Sequence, residues 1–303
     1  MRAQFVELLV KARASNPNIL LLTGDLGWKV LDSFEDTFAE SYLNVGVAEQ
    51  NMIGVAAGLA YEDFKPFVYS IGNFPSFRCL EQIRNDVSQH KLDVNIISVG
   101  SGFSYGALGY SHHAIEDIAA LRCLPNIEIF CPAIPQELDW AFEQLIISSN
   151  PSYTKIPKES GFNVPSLNMV QHHEGIFQYR SGAQIALMST GPILKNVLEA
   201  ADGLESIGYN VSVYSFSQVK PFPDLSMLHR YSGVVSIEEH TIYGGFGSSL
   251  LEAMSHSHIY IPTLLLGTNT SLNNSVGSEN YLRKLHHLDS ESIFRRVTEW
   301  LER

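Results

Sequence analysis

The sequence predicts an α/β chain of two consecutive three-layer domains built on mainly parallel sheets. Two observations predict it. Short apolar runs of strand type alternate with segments of helical period, which is the pattern of βαβ units. The alternation stops over residues 157–182, where Pro157, Gly161, Pro165, Gly175 and Gly182 sit among polar residues, and then resumes. We therefore expect a first domain over residues 1–165, a linker over 166–182 and a second domain over 183–303. A chain of 303 residues suits two domains of roughly 150 residues each.

The elements follow in order. Met1 to Ala14 reads as an amphipathic helix, because Arg2, Glu7, Lys11 and Arg13 interrupt its apolar face. The same charges deny it the apolar core of a signal peptide. Asn18 to Leu22 is a short strand ending in Thr-Gly-Asp, and Val47 to Ala60 a helix of small and apolar residues. A strand ends at Val68-Tyr69-Ser70. Val94 to Val99 is a strand that empties into a glycine-rich loop, Gly100 to Gly109, ahead of a helix over His113 to Arg122. Ile127 to Phe130 is a strand. Pro135 to Ser148 is a helix, since Leu138, Ala141, Phe142, Leu145 and Ile146 share one face. In the second series, strands are expected at Ala183–Met188, Asn210–Phe216, Gly233–Ile237 and Tyr260–Leu266, with a helix over Ile193–Ile207.

Composition excludes several functions. Hydrophobic residues make up 45% and charged residues 17%, which is globular rather than disordered. The net charge is −12 and no basic block occurs, so neither nucleic acid nor an anionic membrane surface is an expected partner. No apolar run approaches the ~18 residues a membrane span needs. Cys79, Cys123 and Cys131 form no CxxC, and an odd number suits reduced thiols in the cytoplasm.

Four constellations could carry chemistry. In Asn44-Val-Gly-Val-Ala-Glu49, Glu49 opens a helix that is otherwise nearly uncharged. A carboxyl group losing water at the mouth of an apolar helix is suited to sharing a proton; the plainer reading is a carboxylate facing the helix dipole. Phe74-Pro-Ser-Phe77, at a strand–helix junction, could stack on a planar ring or simply belong to the core. Gly106 to His113 ends the glycine-rich loop at the carboxyl end of a strand, where open α/β sheets bind ligands. A loop histidine there could move protons near neutral pH. The adjacent pairs His112-His113, His172-His173 and His286-His287 lack metal-ligand spacing, and His256 and His258 have no neighbouring carboxylate or cysteine. Glu238-Glu239-His240, followed by Gly244-Gly245-Phe246-Gly247, could cradle an anion at a helix start, but it is not a dinucleotide fingerprint.

Taken in order, these pieces resemble the C-terminal half of transketolase, a thiamine-diphosphate enzyme. The residues that carry the resemblance are Val45-Gly-Val-Ala-Glu-Gln-Asn-Met52, Glu81-Gln-Ile-Arg-Asn85, the loop through Ser111-His112, Glu116-Asp117-Ile-Ala-Ala-Leu-Arg122, Leu124-Pro-Asn126 and the Glu238-Glu239-His240 segment with its glycines. The resemblance implies a pyrimidine-binding fold followed by a transketolase C-terminal-like fold. It implies that Glu49 activates the cofactor through its aminopyrimidine ring, that Phe74 or Phe77 stacks on that ring, and that His112 contacts substrate. His113, Lys155 and Lys158 are the other implied substrate-binding residues, the lysines in place of an arginine that grips a sugar phosphate.

The departures matter as much. Leu108 stands where the family has an Asp that reads a sugar hydroxyl, Gly100 where it has a loop His, and His113 where it has a Gln. They point away from the usual pentose phosphates toward a modified or branched sugar. The diphosphate-binding domain with its Gly-Asp-Gly…Asn metal motif is missing, and this chain offers no metal ligand set. The resemblance thus implies a split enzyme. A partner subunit corresponding to the N-terminal half would hold the diphosphate and Mg²⁺ (or Ca²⁺), in a heterotetramer of two copies of each chain. The alternatives are a 2-oxo acid dehydrogenase β-type or deoxyxylulose-phosphate-synthase-like subunit, and a non-catalytic binding subunit that retains the fold.

Overall fold

The computed structural model describes residues 1–158, 170–272 and 274–303, with the side chains of 170–173 excepted. Six strands run through the first half: β1 (Ile19–Thr23), β2 (Tyr42–Asn44), β3 (Lys65–Ile71), β4 (Asn95–Val99), β5 (Glu128–Phe130) and β6 (Ser152–Ile156). They pair in parallel, and β3, β4 and β6 are buried along nearly their whole length. Burial on both faces is why these strands read as apolar runs rather than as alternation. The second half contributes β7 (Val170–His173), β8 (Ile176–Arg180), β9 (Ile185–Thr190), β10 (Val211–Phe216), β11 (Gln218–Lys220), β12 (Gly233–Thr241) and β13 (Thr263–Thr268). Among the described residues the sheets have the orders β11-β5-β6-β4-β3-β1-β2 and β13-β12-β9-β10-β8-β7. Both are mainly parallel, with helices on their faces, as the alternation predicts.

The helices are α1 (Arg2–Ser15), α2 (Asp32–Thr37), α3 (Glu49–Tyr61), α4 (Leu80–Gln82, continued by a wider π turn to Ser88), α5 (Asp117–Arg122), α6 (Pro135–Ile147), α7 (Leu194–Ser206), α8 (Phe246–His256), α9 (Glu279–Leu285) and α10 (Ser290–Leu301). Pro135 sits in the first turn of α6, where its missing N–H removes no helical bond. Phe5 and Leu9 of α1 pack with Phe67, Tyr69 and Phe142 on one face of the first sheet. α7 and α10 cover one face of the second. A third apolar cluster is shared by the two halves, running from Met52, Val68 and Ile83 to Met188, Phe216 and Phe246.

Two expectations need correction. Residues 170–180 of the expected linker are β7 and β8, an antiparallel pair added to the edge of the second sheet. Residues 166–169 lie outside the described ones. Gly175, with φ +75°, makes the turn between the two strands. The helix expected from His113 begins at Asp117, because a bridge between Gly102 and Ala114 folds the preceding residues back on the loop. β11 also crosses over to pair antiparallel with β5 of the first sheet.

Buried polar groups tie the halves together. Glu137 of α6 is fully buried and accepts from the Ala133 N–H (2.7 Å), Tyr179 Oη (2.5 Å), Ser215 Oγ (3.1 Å) and Ser217 Oγ (2.6 Å). Three of these donors come from β8, β10 and the residue after β10. Arg283 of α9 pairs with Glu239 of β12 at 2.8 Å and with Glu279 at 2.5 Å. Gly102 lies against that Glu239: its φ is +58°, and a Cβ there would stand 2.2 Å from the carboxylate. The glycine-rich loop of the first half thus rests on the second. Among the described residues no helix is long and apolar enough to cross a membrane.

Two outcomes follow. Glu137→Ala leaves four buried donors without their acceptor and should destabilise the chain by roughly 3 kcal/mol or more, measured by urea unfolding. The second concerns His286. Burial first, then neighbouring His113, pushes its pKa down to about 4, and its Nδ1 accepts from the Asn269 N–H at 3.0 Å. The unfolded chain binds that proton near an ordinary ~6.5. Between those values the unfolded state holds more protons, so stability falls as pH drops through that window. His286→Phe should lower Tm at neutral pH yet flatten the dependence of Tm on pH between about 4 and 6.5.

Candidate active site

In an open parallel sheet, the loops after the strands open a crevice where neighbouring strands connect in opposite directions. Here β1 connects outward to β2, while β3 lies on its other side. Glu49 follows β2, Phe74 and Arg78 follow β3, His112 ends the loop after β4, and Lys158 follows β6. Topology alone therefore brings these side chains to one edge.

Glu49 is the first residue of α3 and is 2% exposed. Its Oε2 accepts from Arg78 Nη1 at 2.7 Å. The Arg78 guanidinium also lies over the Phe74 ring, 4.5 Å from its centroid. The His112 imidazole meets the same ring edge-on, with centroids 5.1 Å apart at 67°. Ser111 Oγ lies 3.0 Å from His112 Nδ1. Asn73 Nδ2 donates to the carbonyl of His113, and Ser98 Oγ to that of Gly72 at 2.9 Å, which fixes the loop carrying His112 against the end of β3. Gly72 has φ +48° and lets the His112 carbonyl come within 3.2 Å of where a Cβ would be.

The row continues past His112. Tyr105 stands 6.5 Å from His112, centroid to centroid, and Lys158 Nζ lies 5.0 Å over the Tyr105 ring. Gly100 explains where Tyr105 sits. With φ +92° and no side chain, it leaves space that the Tyr105 ring fills, 2.2 Å from the position of a Cβ. An open cleft of ≈ 830 Å³ between the loop and the second half is lined by Tyr105, Leu108, Lys158, Lys195 and Arg283. Glu49, Phe74 and His112 are not among its lining residues; His112 adjoins it through Tyr105.

Three residues of the expected set stand elsewhere. Lys155 is buried and gives its Nζ to Asp117 Oδ1 (2.8 Å) and the Ala114 carbonyl (2.9 Å). Tyr153 Oη completes the Asp117 carboxylate at 2.5 Å. Because alternate residues of β6 point to opposite faces, Lys155 and Tyr153 share one face and anchor the start of α5 instead of reaching the row. His113 is 1% exposed; its Nε2–H donates to the Gly106 carbonyl at 3.4 Å against the face of Phe103, and burial holds its pKa below the ordinary value. It supports the loop from inside. Phe77 is 42% exposed and outside the Glu49–Phe74–His112 cluster.

The Glu238 segment cradles its own anion. Glu238 accepts from the N–H groups of Phe246 (2.7 Å) and Gly247 (2.9 Å), capping α8, and burial raises its pKa to about 8. His240 donates through Nδ1 to the Thr241 carbonyl at 2.7 Å, and its pKa is pushed down by burial to about 4. His286 is likewise buried, and the side chains of His172 and His173 lie outside the described residues. Arg78 is the site residue that reading the sequence missed. Its signal was available: four residues after Phe74, it reaches back over that ring once the segment turns helical.

Among families, the transketolase pyrimidine-binding domain matches residues 1–161 and the transketolase C-terminal domain residues 176–293. An apulose-4-phosphate transketolase subunit of Actinobacillus succinogenes is 30% identical over 86% of this chain and 85% of its own length. A 6-deoxy-6-sulfo-D-fructose transketolase subunit of Clostridium sp. is 28% identical over 100% of this chain and 95% of its own. A solved structure described as a split gene transketolase in an inactive beta4 tetramer superposes with a TM-score of 0.85 at 29% identity, covering 98% of this chain and 97% of that one. Two α/β halves with these residues at the edge of the first sheet, and matches of this length, agree: the chain belongs to the transketolase family, whose members depend on thiamine diphosphate, and carries its pyrimidine-binding and C-terminal domains.

Proposed function

We propose that this chain is the pyrimidine-binding subunit of a two-chain transketolase, which moves a two-carbon ketol unit from a ketose donor to an aldehyde or keto sugar acceptor. The observation that carries the reading is the convergence of buried Glu49, the Phe74 ring and His112 at the carboxyl edge of the first sheet. The donor set fits the aromatic half of thiamine diphosphate. A planar nitrogen donor already makes both contacts such a ring needs, stacked on Phe74 and hydrogen-bonded to Glu49.

When bound, that cofactor supplies the carbon nucleophile. Glu49 holds a ring nitrogen of the pyrimidine and shares its proton, in a site with little water to compete. Phe74 sets the plane of the ring. His112, half-buried and braced through Ser111 and the backbone held by Asn73, donates to or withdraws a proton from the substrate oxygen. Lys158, at the far end of the row, receives the anionic end of the sugar as a point charge. Lys155 and His113 have no place in this assignment, since both are committed to buried partners.

The diphosphate end is assigned to another chain. Among the described residues no group of three or more His, Cys, Asp or Glu could hold a metal ion, so Mg²⁺ (or Ca²⁺) goes with a partner corresponding to the family's N-terminal half. Exposed apolar Val47, two residues before Glu49, and exposed Phe77, next to Arg78 in the chain, support coverage by that partner, in a heterotetramer of two copies of each. Unpaired cysteines support a cytoplasmic setting. The names of two relatives give apulose 4-phosphate and 6-deoxy-6-sulfo-D-fructose as their sugars, and Leu108 and Gly100, where the family has an Asp and a His, support a modified sugar here too.

Mixed with its partner, thiamine diphosphate and Mg²⁺, the Glu49→Gln variant should lose turnover by about 100-fold or more; unchanged kcat removes Glu49 from the chemistry. Lys158→Ala should raise KM for a phosphorylated sugar about 10-fold while leaving kcat near wild type. A fall in kcat at constant KM would mean that Lys158 does not bind the anionic end.

A further inference from the structure

We propose that Arg78 is the cofactor's internal stand-in: in the chain alone it occupies the place of the aminopyrimidine, and it swings out as the cofactor binds. This rests on the thiamine-diphosphate reading above and extends it to a residue which that reading leaves without a role. The argument is geometric. Glu49 Oε2 is taken by Arg78 Nη1 at 2.7 Å, and the Phe74 ring is covered by the same guanidinium at 4.5 Å. A guanidinium is flat, carries N–H donors at its rim and stacks on aromatic faces. Those are the features of an aminopyrimidine, and one side chain meets both of its contacts on this chain. Cofactor and guanidinium cannot both hold that space.

The partners differ in freedom. Glu49 is 2% exposed and fixed at the start of α3, whereas the Arg78 side chain is 45% exposed on a short 3₁₀ turn, Phe77–Cys79. Arg78 is therefore the mobile member. Its contact has a purpose while the partner is absent, since a buried carboxylate without a counter-charge is strongly unfavourable. The consequence is self-competition. Apparent affinity for the cofactor falls by the fraction of chains in which the arginine has left.

The test uses thiamine diphosphate and Mg²⁺ titrated into the assembled two-chain enzyme, with binding followed by calorimetry, for wild type, Arg78→Met and Arg78→Lys. Arg78→Met keeps the length and loses the plane and charge; its Kd should tighten about 10-fold, with Arg78→Lys between it and wild type. In the isolated chain, Arg78→Met should lower Tm, and the same change in a Glu49→Gln background should leave Tm unmoved. A Kd for Arg78→Met that is equal to or weaker than wild type overturns the stand-in role while leaving the cofactor reading intact. Additive Tm effects in the isolated chain overturn it as well. Failure of the wild-type enzyme to bind thiamine diphosphate sinks the functional reading, and this inference with it.

Discussion

A carboxylate almost without water, held at the first turn of an apolar helix, is the constraint on which this site depends. Glu49 gains something from the helix dipole. That favourable term is small beside the cost of stripping a charge of its solvent, so the group must have a partner. The fold makes one available. The strand crossover sets the start of α3 beside the end of β3, and the short turns after β3 carry both a ring and a cation to it. Any planar nitrogen donor that displaces the cation inherits a stacking face and an acceptor already aligned.

The second half of the chain acts on this site from a distance, by fixing the loop that bears His112. Glu239, held by Arg283, presses against Gly102, α9 packs its Leu282 onto Gly106, and the Thr241 N–H bonds the Ile115 carbonyl at 2.8 Å. The ion pair is buried and the crossing bonds are between backbone groups, so both depend little on salt. A glycine-rich loop has many conformations open to it. The buttress selects one, in which His112 faces Phe74 and His113 faces inward. That selection explains why two adjacent histidines of identical chemistry have opposite environments.

What the sequence reveals and what it conceals divide along physical lines. The parallel strands and the helices α3, α6 and α7 are legible because local period and burial agree there. Glu49, Phe74 and His112 are legible because each sits where a strand empties into a loop, a position marked by a glycine or a change of period. The hairpin β7–β8 is hidden because edge strands tolerate the polar and glycine residues of linkers. The crossing of β11 depends on a pairing almost ninety residues away, which leaves no local trace. Lys155 misleads for a different reason: a lysine on a strand signals an exposed or ligand-facing end, and only Asp117, brought by α5, shows that it is buried and paired. Arg78 escapes because its meaning lies in two partners that come from different elements.

The row from Glu49 to Lys158 divides into two ends built by different strands. In the proposed function the ring-binding end comes from the loops after β2 and β3, and the sugar-binding end from those after β4 and β6. The two ends meet where the Phe74 ring faces His112 and where Asn73 holds the His113 carbonyl. Tyr105, filling the space left by Gly100, and Leu108 on the loop both line the cleft on the proposed sugar side. Proton transfer on the cofactor needs an acid and a plane, and substrate choice needs a cation and a contour. On the proposed assignment, placing these requirements on separate loops would let one scaffold keep its chemistry while its sugar changes, so that departures at the β4 and β6 ends would bear on specificity rather than on whether catalysis occurs.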